Sequence, residues 1–201
     1  MAVDKRFVSG GKMTQAEAIL LLTPYEQLLA LPENQVGEVI GGQLYTQPRP
    51  AGPHAMAEAA IVLRIGAPFR FGEGGPGGWW ILPEPEIHFI RDTEVAVPDL
   101  AGWRRERMPT IPRDHRFEVV PDWVCEILSP STQQKDRVLK LPLYARYGVA
   151  YAWLVDPLAR TLEVFELNEG RWILLSAIRE DEPVCFPPFT AVTFSLADLW
   201  V

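Results

Sequence analysis

Lysine is scarce in this chain: four residues in 201, against fifteen arginines, so the position of each lysine carries information. Cysteine is scarcer still. Cys125 and Cys185 are too few for a disulfide framework or a cysteine-rich zinc site, and both lie in apolar strings (W-V-C-E-I-L and P-V-C-F-P) that favour buried, reduced thiols. No stretch approaches the roughly 18–20 consecutive apolar residues of a membrane-spanning helix. The N-terminus M-A-V-D-K-R-F-V has charge but no apolar run behind it, so no secretory signal is read there and the cytoplasm is the expected compartment. Basic residues do not dominate either. The net charge of −7 excludes a globally basic, non-specific nucleic-acid binder.

What is present is an ordinary globular composition, 48% hydrophobic and 22% charged, in a length that suits one domain over 1–201. Nineteen prolines and fifteen glycines exceed the usual share and predict many turns and edge strands. A polar leader over Met1–Lys12 precedes a helix from Thr14 to Leu22, with Thr14 and Glu17 as a capping box. The helix restarts at Thr23-Pro24 and runs to Leu31. Gly41-Gly42 between Val36–Ile40 and Gln43–Thr46 predicts a two-residue hairpin. A helix from His54 to about Arg70 leads into a loop at Phe71–Gly78, where no Gly-Lys-Ser/Thr marks a phosphate loop. Strands are predicted at Trp79–Leu82, Glu86–Ile90, Val95–Trp103 and Val119–Leu128. A helix capped by Ser131 and Gln134 runs to Tyr147 and ends at Gly148. Strands at Ala150–Val155, Thr161–Leu167 and Arg171–Ala177 form a terminal meander, and a helical turn lies near Leu196–Leu199. This order predicts a mixed α/β domain built on one sheet.

Two acids stand where apolar residues belong. Glu126 lies inside W-V-C-E-I-L, and a carboxylate in a buried strand is costly unless paired or bound to a cation. Asp99 interrupts V-A-V-P-D-L-A-G-W, where Pro98 removes one ladder donor and marks an edge or a bulge. Two acids projecting from adjacent strands repel each other, and a divalent cation with oxygen ligands, Mg²⁺ or Mn²⁺, resolves the conflict. Lys140 lies on the helix that leaves the Glu126 strand. Asp136, Lys140 and Tyr144 are spaced i, i+4, i+8 and share one face.

The string V-P-D at 97–99, E-I-L-S-P-S-T at 126–132, a lysine and a tyrosine on the next helix, and G-V-A-Y-A-W-L-V-D-P at 148–157 together resemble a bacterial restriction endonuclease-like family (Uma type) of the PD-(D/E)XK nuclease superfamily. L-P-E at 31–33, G-E-V-I-G-G-Q-L at 37–44 and the helix opened by His54 agree, so the resemblance spans about 24–175. It implies a restriction endonuclease-like fold, a central mixed sheet flanked by helices with a C-terminal β meander, and Mg²⁺-dependent hydrolysis of DNA. Asp99 and Glu126 are the implied acids, and the main-chain carbonyl of Ile127 the implied third metal ligand. The superfamily's lysine would fall at 128, where this chain has Leu128, so the displaced catalytic lysine is Lys140, with Lys135 as runner-up. Glu58 and Glu86 are further candidate acids. No organic cofactor and no membrane contact are implied, and the exposed hairpins offer edges for a homodimer.

Against these stand blander readings. His54 and Glu58, at i, i+4 with no third ligand, read as a helix-surface pair. Pro142 predicts a kink that moves Lys140 away from the acids. The rival function is a nuclease-fold module that no longer cleaves and binds DNA or a protein. Arg104, Arg105, Arg107, Arg113 and Arg116, against only Glu106 and Asp114, form a local basic segment that could contact phosphates.

Overall fold

The computed structural model describes residues 22–48 and 51–200. The leader and all but the last residue of the helix expected at Thr14–Leu22 lie outside them. The chain opens with α1 (Pro24–Leu29), whose N-cap Thr23 forms a full capping box with Glu26. The hairpin β1 (Gln35–Ile40) and β2 (Gln43–Pro48) turns at Gly41 and Gly42, with φ of 60° and 75°, the left-handed pair such a turn needs. Helix α2 (Gly52–Ile65) continues as a π-helical turn over Gly66–Phe71. Strands β3 (Trp79–Pro83), β4 (Glu86–Ile90), β5 (Glu94–Ala96), β6 (Leu100–Arg104), β7 (Arg116–Phe117) and β8 (Trp123–Ile127) follow. A helical rod then comprises α3 (Gln133–Lys135), a π turn (Asp136–Lys140) and α4 (Leu141–Tyr147), closed by Gly148 at φ 79°. Strands β9 (Tyr151–Asp156), β10 (Thr161–Asn168), β11 (Arg171–Arg179), β12 (Pro183–Val184) and β13 (Phe194–Ser195) precede a final 3₁₀ turn at Leu196–Leu199.

The mixed α/β architecture is the expected one, but the strands divide between two main sheets rather than one. A six-stranded sheet has the order β11-β10-β9-β8-β6-β3 and a five-stranded sheet β2-β1-β5-β4-β7, with β12 and β13 as a small ribbon. Both main sheets are mixed: β8–β9 and β4–β7 pair parallel and the remaining pairs are antiparallel. The expected strand Val95–Trp103 is two strands in different sheets. The chain leaves β5, crosses at Val97-Pro98-Asp99 and enters β6. Pro98 therefore marks a crossover, where no ladder donor is needed, and not a bulge within one strand.

The period-2 alternation of β8 sends its residues to opposite cores. Trp123, Cys125 and Ile127 pack with Ala57, Ile61 and Ile65 of α2. Val124 and Leu128 pack with Leu141, Leu143 and Tyr144 of the rod and with Ile40, Ile87 and Ala96 of the smaller sheet. Glu126 lies between Val124 and Leu128 in this alternation, so it enters the second core.

Pro142 does not break the rod. It has no N–H for the carbonyl of Val138, and the helix accommodates this one turn earlier by widening, with the Leu141 N–H bonding the Asp136 carbonyl, an i→i+5 bond. The capping box expected from Ser131 and Gln134 does not form. Ser129, Ser131 and Thr132 bond one another at the corner instead: Ser129 Oγ lies 3.0 Å from both Ser131 Oγ and Thr132 Oγ1.

Candidate active site

The crossover places Asp99 beside the end of β8. Asp99 Oδ2 accepts the main-chain N–H of Ile127 at 2.6 Å, which ties the two sequence-nominated segments together. One residue back, Glu126 is buried at 2% exposure. Its Oε2 receives Lys140 Nζ at 2.8 Å and its Oε1 receives the Tyr144 hydroxyl at 2.5 Å. Asp136, Lys140 and Tyr144 do share the inward face of the rod, all three buried. Lys140 therefore faces the acids despite Pro142, and the predicted displacement is overturned by the π turn.

A fourth acid escaped the sequence reading. Glu38 of β1 is fully buried, and its Oε1 stands 2.9 Å from Lys140 Nζ and accepts the Val97 N–H at 2.9 Å. Its Oε2 pairs with Lys135, whose ammonium also reaches Gln47 Oε1 at 2.5 Å. Both lysines among the described residues thus converge on one carboxylate. The signal was in V-G-E-V-I, an acid inside an apolar strand, the same pattern that singled out Glu126.

The electrostatics follow from burial and from sharing. Burial alone would raise the Glu38 carboxyl, but Lys140 and Lys135 outweigh it and hold it below the usual carboxylate range. Burial drives the Glu126 carboxyl well above that range; Lys140 opposes this, while Asp136, Asp99 and Glu38 add to it. Burial works against the charge on Lys140, but Glu126 and Glu38 outweigh it and hold the ammonium well above its ordinary value. One lysine serves two carboxylates, so it keeps its proton while Glu126 is pushed towards the neutral form.

Helix α2 supplies the outer wall. His54 Nε2 lies 3.1 Å from Asp99 Oδ1, so the surface-pair reading of His54 is corrected: it reaches into the site. Its Nδ1 is buried with no hydrogen-bond partner. Glu58, one turn on, has its carboxyl raised to about 7 by burial and by the charges of Asp99 and Glu84, against the opposing effect of His54. Glu86, the other candidate acid, belongs elsewhere. It accepts the Tyr25 hydroxyl at 2.7 Å and lies 2.7 Å from His88 Nε2, in a cluster beneath α1. Three arginines of the basic segment have internal partners: Arg107 pairs with Asp122 at 2.8 Å, Arg116 with Asp92 at 2.9 Å, and Arg105 donates to the Arg70 carbonyl at 2.6 Å.

Among the described residues, no three His, Cys, Asp or Glu side chains stand together as a ready-made metal cage. The donor chemistry nevertheless fits a hard divalent cation. Asp99 and Glu126 present carboxylate oxygens that each accept one bond where two lone pairs exist. Burial is the main cause of the rise at Glu58, and the charge of Asp99 adds to it. Two features stabilise the site without any metal. Tyr144→Phe should cost about 1.5–3 kcal/mol, the worth of a hydrogen bond to a charged acceptor. Urea denaturation checks this, and a loss below about 0.5 kcal/mol would show the Tyr144–Glu126 bond to be unimportant. The second feature, the Lys140 pair, carries a larger effect and is treated below.

A family model described as a putative restriction endonuclease, Uma2, matches residues 24–197. Among solved structures, a putative nuclease belonging to DUF820 from Anabaena variabilis ATCC 29413 is similar to this chain. The two superpose with a TM-score of 0.69 at 26% identity, over 89% of this chain and 97% of that one. No curated protein matches. Among the described residues, no helix is long and apolar enough to cross a membrane.

Proposed function

This chain belongs to the Uma2 family of putative restriction endonucleases, and we propose that it hydrolyses DNA phosphodiester bonds with a divalent cation, Mg²⁺ or Mn²⁺, held by Asp99 and Glu126. The observation that carries this reading is that Asp99, on the sheet crossover, holds the Ile127 N–H at the end of β8, next to the buried Glu126 that receives Lys140 from the helical rod. When bound, the cation supplies positive charge for the developing phosphorane and lowers the pKa of water. The Ile127 carbonyl is the third donor assigned to it. The residues of the chain do the rest. The Ile127 N–H fixes Asp99, while Tyr144 and Lys140 fix the two oxygens of Glu126. Lys140 also balances the two buried carboxylates, so Glu126 can be held in the core at all.

Duplex DNA offers two strands, and a homodimer offers two sites. The open edge of the larger sheet, β11, exposes Ile173, Leu174 and Leu175 and is the edge assigned to a second copy. The cytoplasm is the compartment assigned, in keeping with two free cysteines. Incubation of supercoiled and linear DNA with the full chain tests the activity. Nicking or linearisation in Mg²⁺ or Mn²⁺, abolished by EDTA, is expected. DNA binding without cleavage under any divalent cation would favour the non-catalytic module.

A further inference from the structure

Lys140 has no hydrogen left to offer a substrate. An ammonium carries three N–H donors, and Lys140 Nζ has three close acceptors: Val97 O at 3.0 Å, Glu38 Oε1 at 2.9 Å and Glu126 Oε2 at 2.8 Å. Its side chain is 1% exposed. Lys135 differs on both counts. Its side chain is 13% exposed, and its two polar partners among the described residues are Glu38 Oε2 and Gln47 Oε1. That leaves one N–H.

Residues five apart sit about 140° apart around an α-helix of 3.6 residues per turn, too far for both to meet one carboxylate. The π turn at Asp136–Lys140 brings an i→i+5 repeat into register, and Lys135 and Lys140 both reach Glu38. Glu38 thus holds one fully buried lysine and one partly exposed lysine, on a segment whose shape answers to Pro142.

Resting on the nuclease reading above, we propose that the two lysines divide the work: Lys135 touches the phosphate of the DNA substrate, and Lys140 is the internal counter-ion that never leaves the carboxylates. Glu38 is the positioning residue that sets both. The contact made by Lys135 is a single charge-assisted hydrogen bond to a phosphate oxygen, with no covalent step.

The test compares the full-length wild type with Lys135→Met and Lys135→Arg in two assays. Single-turnover cleavage of a duplex in Mn²⁺ should fall about 10²-fold for Lys135→Met, the range for loss of one stabilising donor, and recover in large part for Lys135→Arg. Duplex affinity without Mn²⁺, followed against salt, should lose about one from its logarithmic slope in Lys135→Met, the mark of one lost phosphate contact. Wild-type rate and slope in Lys135→Met, beside a cleaving wild type, overturn the division of labour and leave the nuclease reading standing. A lower rate with an unchanged slope assigns Lys135 to the architecture of the site and also overturns it. A wild type that neither binds nor cleaves the duplex overturns both.

Discussion

Glu126→Gln should abolish cleavage and leave a folded protein. The substitution keeps the shape: the amide oxygen can serve Lys140, which also retains Glu38 and the Val97 carbonyl, and the amide nitrogen can donate to the Tyr144 hydroxyl oxygen. What it removes is an anionic oxygen from the proposed cation site. The expected loss in single-turnover rate exceeds about 10³-fold, beyond what one stabilising donor supplies. Circular dichroism and a urea curve close to those of the wild type complete the expected result. Cleavage within tenfold of the wild type would remove Glu126 from the chemistry.

Lys140→Met should act in the opposite sense and strike the fold. It leaves two buried carboxylates, Glu38 and Glu126, without their shared cation. Breaking a buried pair from one side costs about 3–5 kcal/mol, a large part of the roughly 5–15 kcal/mol that holds a domain together. A second change, Glu126→Gln, should restore part of the loss, because the unpaired charge goes with it. The pH dependence has a definite sign. Lys140 is raised above its ordinary value, so its contribution is complete below the ordinary lysine range and is lost only as pH rises through the raised value. Glu38 is depressed, so its contribution is present above the ordinary carboxylate range and is lost as pH falls through the depressed value. The gap between wild type and Lys140→Met should therefore hold from neutral into alkaline solution and shrink in acid. Urea titrations at several pH values measure it; a variant within about 1 kcal/mol of the wild type at neutral pH would deny the pair its structural role.

Much of this site was legible because burying charge is expensive. An acid inside W-V-C-E-I-L or V-P-D-L-A-G-W demands a partner, and a lysine at helical spacing from Tyr144 supplies one. Glu38 carried the same signal in V-G-E-V-I, but a hairpin with one wet face accounts for an acid there equally well. Only the pairing of β1 with β5, more than fifty residues on, shows the strand to be covered. The crossover at Pro98 was hidden for a related reason: both flanking segments are apolar, and nothing local says that they belong to different sheets. The π turn was invisible because propensity and periodicity describe α-helices. The proline predicts a kink, whereas the backbone absorbs it by widening one turn. His54 looked like a surface residue because its partner, Asp99, is forty-five positions away and meets it only across α2 and the crossover.

The central claim is that Asp99 and Glu126 together hold a divalent cation. Calorimetric titration of Mn²⁺ into the metal-stripped wild type and into Asp99→Asn tests it most directly, because it needs no DNA, no partner and no turnover. The account predicts saturable binding by the wild type and its loss in Asp99→Asn with the fold intact by circular dichroism. Absence of binding to the wild type, or equal binding by the variant, would contradict it.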